Sequence, residues 1–495
     1  MSQVTRKLSH LLATHGFLRA TLLFFGLESV WIALSARYPM AFDEDFHFGI
    51  IKIYSHHWLP FLGSQPAETS TFGAVARDPS YFYHYLMSFP YRLIELCTSS
   101  QTAQIIVLRL LNVMLFGLGL WLFHRLMLRV GASPLLSNVS LAFFVLIPIV
   151  PLLAGQINYD NLLMPVVAAS CLLTLSIADG LRHKRLVLRD VVLLAALCLM
   201  GSIIKYAFLP IAFAIGVFLL WTAWRAVGWR ALWPVVRDAY QRCTTTAKLW
   251  LLAALVVSFG LFAQRYVVNV LTYHAPIPDC AKVLSEDACM SYGPWARDYQ
   301  YKQTKLDFAP NPLVYTPQWL EGLHYRLFFM ISGPSNQYQN YPPLLLPSAA
   351  FVVLFVIGLL AIIFYARETF RGQSALAFLL LCSALYLTIL WADNFAEYGR
   401  TGVVAAVNGR YLLPILLLLA AVAGRALTVA FRHFPRLGSV LLLVALLCFV
   451  DGGGVFSFMA RSDSTWYWPN RAVTSVNTAA HNLVAPLVVR TPNEY

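Results

Sequence analysis

Hydrophobic side chains make up 59% of the 495 residues and charged ones 12%. Soluble domains carry roughly 25% charged residues, so a soluble globular protein is excluded. The formal net charge of +13 calls for no nucleic-acid partner, because membrane proteins gather basic residues in their cytoplasmic loops.

Apolar stretches of spanning length, roughly 17–25 residues, lie near 17–37, 104–124, 136–154, 161–178, 190–204, 207–224, 249–271, 343–365, 374–392, 409–430 and 437–455. They predict an all-α polytopic membrane protein with eleven transmembrane helices, the fifth and sixth joined by a tight turn at Lys205-Tyr206. The first stretch is followed by acids and not by a small-residue cleavage site, so it reads as a span and not as a signal peptide. Arg6 and Lys7 precede the first span; Arg125 and Arg129 follow the second. Arg182, Lys184, Arg185 and Arg189 follow the fourth. Arg225, Arg230, Arg237, Arg242 and Lys248 follow the sixth, Arg367 and Arg371 the eighth, Arg432 and Arg436 the tenth. Every second loop is basic, which puts the N-terminus in the cytoplasm and the C-terminus outside. The expected division is a transmembrane domain over 1–455, with outer loops 38–103 and 272–342, and an outer tail over 456–495. No repeat is visible. Nor do interrupted helices stand in matching positions of two halves, as in a transporter of inverted repeats.

The acids fall on the outer side. Phe42-Asp43-Glu44-Asp45-Phe46-His47 sets three carboxylates and an imidazole just beyond the first span. Such a run suits helix capping, a divalent cation held by Asp43, Asp45 and His47, or a general base. Asn158-Tyr159-Asp160 forms the turn between the third and fourth spans, on the same face. Lys205, Arg265 and Arg410 end or begin spans there. They suit either snorkelling to headgroups or contact with a phosphate. Arg410 stands out, because Gly409 permits close backbone approach and Pro414 shapes the helix start. Tyr81, within Pro79-Ser80-Tyr81-Phe82-Tyr83-His84-Tyr85, offers an aromatic face of the kind that binds sugars or lines a membrane interface. Cys280 and Cys289 share an outer loop, where an oxidising compartment permits a disulfide.

Together these motifs, Asp43-Glu44-x-x-His47, Pro79-Ser80-Tyr81, Asn158-Tyr159-Asp160 and Gly409-Arg410-Tyr411-x-x-Pro414, resemble the GT-C superfamily of membrane glycosyltransferases. That superfamily includes protein O-mannosyltransferases and the aminoarabinose transferase of lipid A, and the likeness is closest to a bacterial family grouped with them. Arg109-Leu110-Leu111-Asn112 and Lys205 also fit; the Pro-Pro usual before the tyrosines is Asp78-Pro79 here. The resemblance implies an inverting hexosyl- or pentosyltransferase in a bacterial inner membrane, with its site facing outward and interfacial helices in the first outer loop. A polyprenyl-phosphate sugar would be the donor, and a glycan, lipid or protein hydroxyl the acceptor. Asp43 would be the catalytic base with Asp160 in support, and Glu44, His47, Tyr81, Asn158, Lys205, Arg265, Arg410 and Tyr411 would contact substrate. The alternative is a transporter or flippase of lipid-linked sugars, whose charges should line a path through the bilayer.

Overall fold

The computed structural model describes residues 3–40, 43–305, 309–328, 330–332, 339–341, 344–405, 407–462 and 464–488. Phe42, which opens the acidic run, and residues 489–495 of the expected tail lie outside them.

A short helix α1 (Gln3–Leu12) precedes the first span, α2 (His15–Ser35), whose start is capped by the Thr14 hydroxyl accepting from the Phe17 amide at 3.1 Å. The loop over 38–103 holds two helices, α3 (Glu44–Ser55) and α4 (Phe82–Cys97), packed on each other. Next come α5 (Gln101–Arg129), then α6 (Pro134–Val145) and α7 (Ile149–Ala154), α8 (Asp160–Arg182), α9 (Leu188–Ile204) and α10 (Leu209–Ala226). A 3-10 turn over Tyr206–Phe208 makes the sharp bend between α9 and α10. After α11 (Trp229–Gln241) and α12 (Thr245–Tyr273), the second long loop carries α13 (Cys280–Val283) and α14 (Glu286–Cys289), joined by the Cys280–Cys289 disulfide. It continues through α15 (Gly293–Thr304) and α16 (Pro312–Phe328) into a minimal hairpin, β1 (Met330–Ser332) antiparallel to β2 (Gln339–Tyr341). The chain ends with α17 (Leu345–Phe364), α18 (Ala366–Phe370), α19 (Ser374–Thr401), α20 (Leu413–Ala430), α21 (Pro435–Val450), α22 (Val455–Arg461) and α23 (Arg471–Val484).

Among the described residues nine helices are long and apolar enough to cross a membrane, and the protein is an integral membrane protein. The other two expected spans differ from a plain span. The fifth is the 17-residue α9, and the third is broken at residues 146–148 by Pro148. The ninth apolar stretch, expected over 374–392, continues as α19 to Thr401 and ends at Gly402.

Interrupted helices do occur, in the third and the last spans, and they face each other. The amide of Gly454, between α21 and α22, donates to the carbonyl of Leu146 at 2.6 Å, and Val455 donates to Glu28 Oε2 at 3.0 Å. Glu28, the one acid placed within the first span, is thus a buried internal partner for broken backbone, as a low-dielectric interior requires. Gly454 has φ +56, and a Cβ there would lie 2.6 Å from Glu28 Oε2. Gly454→Ala is therefore expected to destabilise the protein by more than the ~1 kcal/mol of an unfavourable φ alone, read as a lower Tm in detergent; an unchanged Tm would mean the break is slack.

Candidate functional site

The acidic run splits at its first bond. Asp43 adopts φ 69 and ψ 29, a left-handed conformation uncommon for a residue with a side chain, and α3 begins at the next residue. That turn sends Glu44 inward and leaves Asp43 at the surface. Glu44 is wholly buried. Arg109 grips it from α5 with two bonds of 2.7 Å, Nε to Oε1 and Nη2 to Oε2, the forked geometry that makes arginine–carboxylate pairs strong. The remaining lone pairs accept from the Met40 amide at 2.8 Å and the Ile157 amide at 3.2 Å. Arg109 Nη1 also donates to the carbonyls of Ala33 and Ala36 at the end of α2, and Trp468 covers its guanidinium at 5.6 Å. Glu44 is therefore a joint between α2, α3, α5 and the 155–160 turn. The expectation that it contacts substrate is corrected: every oxygen is committed inside the protein.

One helical turn along the same face of α5, Asn112 performs the matching task for the second motif. Its Oδ1 accepts from Tyr83 at 2.8 Å and from Asn161 Nδ2 at 3.0 Å, with the Asn158 amide at 3.5 Å. Asn158 is buried, and its Oδ1 takes the amide of Asp160 at 3.0 Å, the first residue of α8. Asn158 thus shapes the turn from within instead of facing substrate.

Two ion pairs stand on this base. Asp43 Oδ2 accepts from Arg410 Nη2 at 2.7 Å; the Asp43 side chain is 53% exposed and that of Arg410 6%. Asp43 makes no capping bond to α3, so the capping alternative does not account for it. Arg410 is held at the start of α20 by Asn408, whose Oδ1 accepts its amide at 3.0 Å. Gly409 allows the approach: a Cβ there would lie 2.6 Å from the Leu327 amide nitrogen. The second pair is buried, Lys205 Nζ donating to Asp160 Oδ1 at 2.6 Å. The two pairs are neighbours. Lys205 stands 4.6 Å over the Tyr159 ring and 5.0 Å over that of Tyr411, and Arg410 lies 5.5 Å from the latter. Burial pushes the Lys205 ammonium below its ordinary pKa while Asp160 pulls it up and Arg410 presses it down again. Asp160 is thus partner to the lysine, and no contact joins it to Asp43.

Behind Asp43, His47 Nδ1 and His84 Nε2 are 2.8 Å apart, with near-parallel rings, and Tyr159 meets His47 edge-on at 4.6 Å. Burial holds His47 well below the ordinary imidazole range, reinforced by His84, Arg410 and Lys205, and pushes His84 down to about 3. Both are neutral at physiological pH. The unfolded chain takes up protons near pH 6.5 and folded His84 only near 3, so stability falls as pH drops between those values. For His84 alone the loss is about 2 kcal/mol at pH 5 relative to pH 8. A melting series should show this slope in the wild type and a shallower one in His84→Gln; parallel series would show that the pair titrates freely when folded.

Two expected substrate contacts turn out to be struts. Arg265 is fully buried near the C-terminal end of α12, donating to the Tyr54 hydroxyl at 2.9 Å and to the carbonyls of Ala76 and Pro60. It covers the Tyr81 ring at 4.4 Å, and buried Tyr81 donates to the Leu261 carbonyl at 3.0 Å. The pair fastens the 38–103 loop to α12. Among the described residues no three His, Cys, Asp or Glu side chains form a group able to hold a metal ion. Asp43 is paired with Arg410, Asp45 is exposed and His47 faces His84, so the set Asp43, Asp45 and His47 does not fit a cation.

The sequence reading missed Tyr159, His84, Phe46 and Tyr292. Tyr292, just past the disulfide, stacks on Phe46 at 6.0 Å, while Ser291 Oγ donates to Ser70 Oγ at 2.9 Å. This brings the 272–342 loop against the 38–103 loop beside Asp43, whose charge helps raise the Tyr292 phenol above its ordinary pKa, after burial and Asp78. No spacing signal could find it, since more than two hundred residues part the two rings.

No family model matches this chain, and no curated protein matches it. Two solved structures of the oligosaccharyltransferase AglB from Archaeoglobus fulgidus are similar to it. One is a complex with an inhibitory peptide and a dolichol-phosphate, at 13% identity, covering 97% of this chain and 61% of that one. The other is tethered to an acceptor peptide through a disulfide, at 14% identity, covering 97% and 60%. Both have a TM-score of 0.44, and this chain spans about three-fifths of their length.

Proposed function

We propose that the protein is an inverting glycosyltransferase that moves a sugar from a polyprenyl phosphate to an acceptor hydroxyl. The observation that carries this reading is the exposed carboxylate of Asp43, held against Arg410 and beside Lys205. A displacement at an anomeric carbon needs a base on the entering side and cations on the leaving side. In the resting site Arg410 is bonded to Asp43. A donor phosphate competes for that guanidinium, and its transfer from carboxylate to phosphate leaves Asp43 free to accept a proton. The acceptor oxygen then bonds to the anomeric carbon as its proton passes to Asp43. The bond from that carbon to the phosphate oxygen breaks, and Arg410 and Lys205 meet the second negative charge of the departing polyprenyl phosphate. The site is taken to face outward, in a bacterial inner membrane, because the basic loops sit at the opposite ends of the spans. Against a flippase, the acid within the first span, Glu28, accepts the Val455 backbone amide through Oε2.

The assay is purified protein in liposomes with a panel of polyprenyl-phosphate hexoses and pentoses. Release of polyprenyl phosphate supports the proposal; sugar-lipid crossing the bilayer without release overturns it in favour of transport. Within it, Lys205→Ala should lower donor use by roughly 10- to 100-fold, the loss of 1.5–3 kcal/mol from a charged hydrogen bond. Wild-type donor dependence would make Lys205 only the counterion of Asp160.

A further inference from the structure

The sites at the two ends of α8 differ in kind. Asp160 opens this 23-residue helix at the acidic cluster, and Arg182 closes it, about 34 Å away at 1.5 Å per residue. At the Arg182 end, α8, α10 and the start of α19 border a groove of 880 Å³. Its accessible walls are mostly apolar, with Val217, Trp221, Ala377 and Leu381 over the buried Phe218–Phe378 stack, and Arg182 and Arg225 also line it. Positive charge is in excess there. Asp179 is shared between Arg129 at 2.5 Å and Arg182 at 3.0 Å, so one carboxylate serves two guanidinium groups. Arg182 Nη2 reaches on to Ser374 Oγ at 2.5 Å, at the head of α19. Arg225 is exposed, its guanidinium 6.0 Å from the Trp224 ring. Trp221 and Trp224 lie one helical turn apart at this end of a span, the depth at which tryptophan meets headgroups.

We infer that this groove is a binding site for an anionic phospholipid, with the phosphate between Arg182 and Arg225 and an acyl chain along Val217, Trp221, Ala377 and Leu381. A soluble anion would satisfy the arginines and leave the apolar wall bare; a neutral lipid would cover that wall and leave the excess charge unmet. An acidic phospholipid matches both ends, and the bilayer supplies it at high local concentration. Arginine forks suit a phosphate better than a point charge does. The inference does not rest on the transferase reading, since none of these residues belongs to the acidic cluster.

The test uses the full-length protein in detergent, titrated with palmitoyl-oleoyl phosphatidylglycerol or phosphatidylcholine and read by native mass spectrometry. Phosphatidylglycerol should bind about tenfold more tightly than phosphatidylcholine, and Arg225→Ala should erase that preference, the scale of one charge-assisted phosphate contact. Ala377→Trp narrows the groove and leaves both arginines in place, so it should weaken both lipids. Arg182 is left intact because its loss would alter the balance at Asp179. Equal binding of the two lipids, or a preference untouched by Arg225→Ala, overturns the site. Competition by glycerol phosphate together with wild-type lipid binding in Ala377→Trp overturns the lipid and leaves a plain anion site.

Discussion

Asp43→Asn should lower sugar transfer by roughly 10²–10⁴-fold, the usual scale for loss of a general base, with little change in the amount of protein or in donor binding. Asparagine keeps the shape and removes the basicity. It also keeps an oxygen for Arg410, so the 2.7 Å contact need not be lost. Asp45 supplies the internal control. It lies one residue into α3, exposed, with its carboxyl raised above the ordinary range by partial burial and by the charges of Asp43 and Glu44. Asp45→Asn should be milder. A wild-type rate in Asp43→Asn with a collapsed rate in Asp45→Asn would transfer the role to Asp45. Wild-type rates in both would remove the acidic run from the chemistry.

Arg109→Leu should cost about 3–5 kcal/mol of stability, because it leaves the Glu44 carboxylate charged, buried and without its partner. The reverse replacement, Glu44→Leu, strands the guanidinium at similar cost. The informative variant is the pair together, Glu44→Leu with Arg109→Met. Apolar replacement of both members of a buried ion pair is often neutral or stabilising, so the double variant should recover most of the melting temperature. It should not recover transfer. Glu44 also takes the amides of Met40 and Ile157 and thereby fixes the turn that aims Asp43 at Arg410. A double variant that is both stable and fully active would reduce the Glu44–Arg109 pair to scaffolding with no bearing on the site.

Much of the architecture is legible in the sequence because partition between lipid and water is decided residue by residue. Apolar stretches, basic loops and the outer cysteines report on it without knowledge of neighbours, and they foretold the helical membrane body, the turn at Lys205-Tyr206 and the place of the Cys280–Cys289 bond. Helix interruption is not legible there: the stretch 136–154 reads as one span across Pro148, and the need for Gly454 to supply a partner to Leu146 arises from contact with a segment three hundred residues away.

Which polar groups are open and which are spent was decided by tertiary structure alone. Asp43 and Glu44 are adjacent acids, yet a left-handed residue and the 100° step of a helix put one at a surface and the other inside an arginine fork. Arg265 and Arg410 both stand near the ends of apolar segments, with only Gly409 and Pro414 to set the second apart; carbonyls of the 38–103 loop hold one, and a carboxylate at the surface holds the other. Composition and spacing record how a residue meets solvent or lipid. The use of its hydrogen bonds depends on partners from distant segments, and only the folded chain brings those within 3 Å.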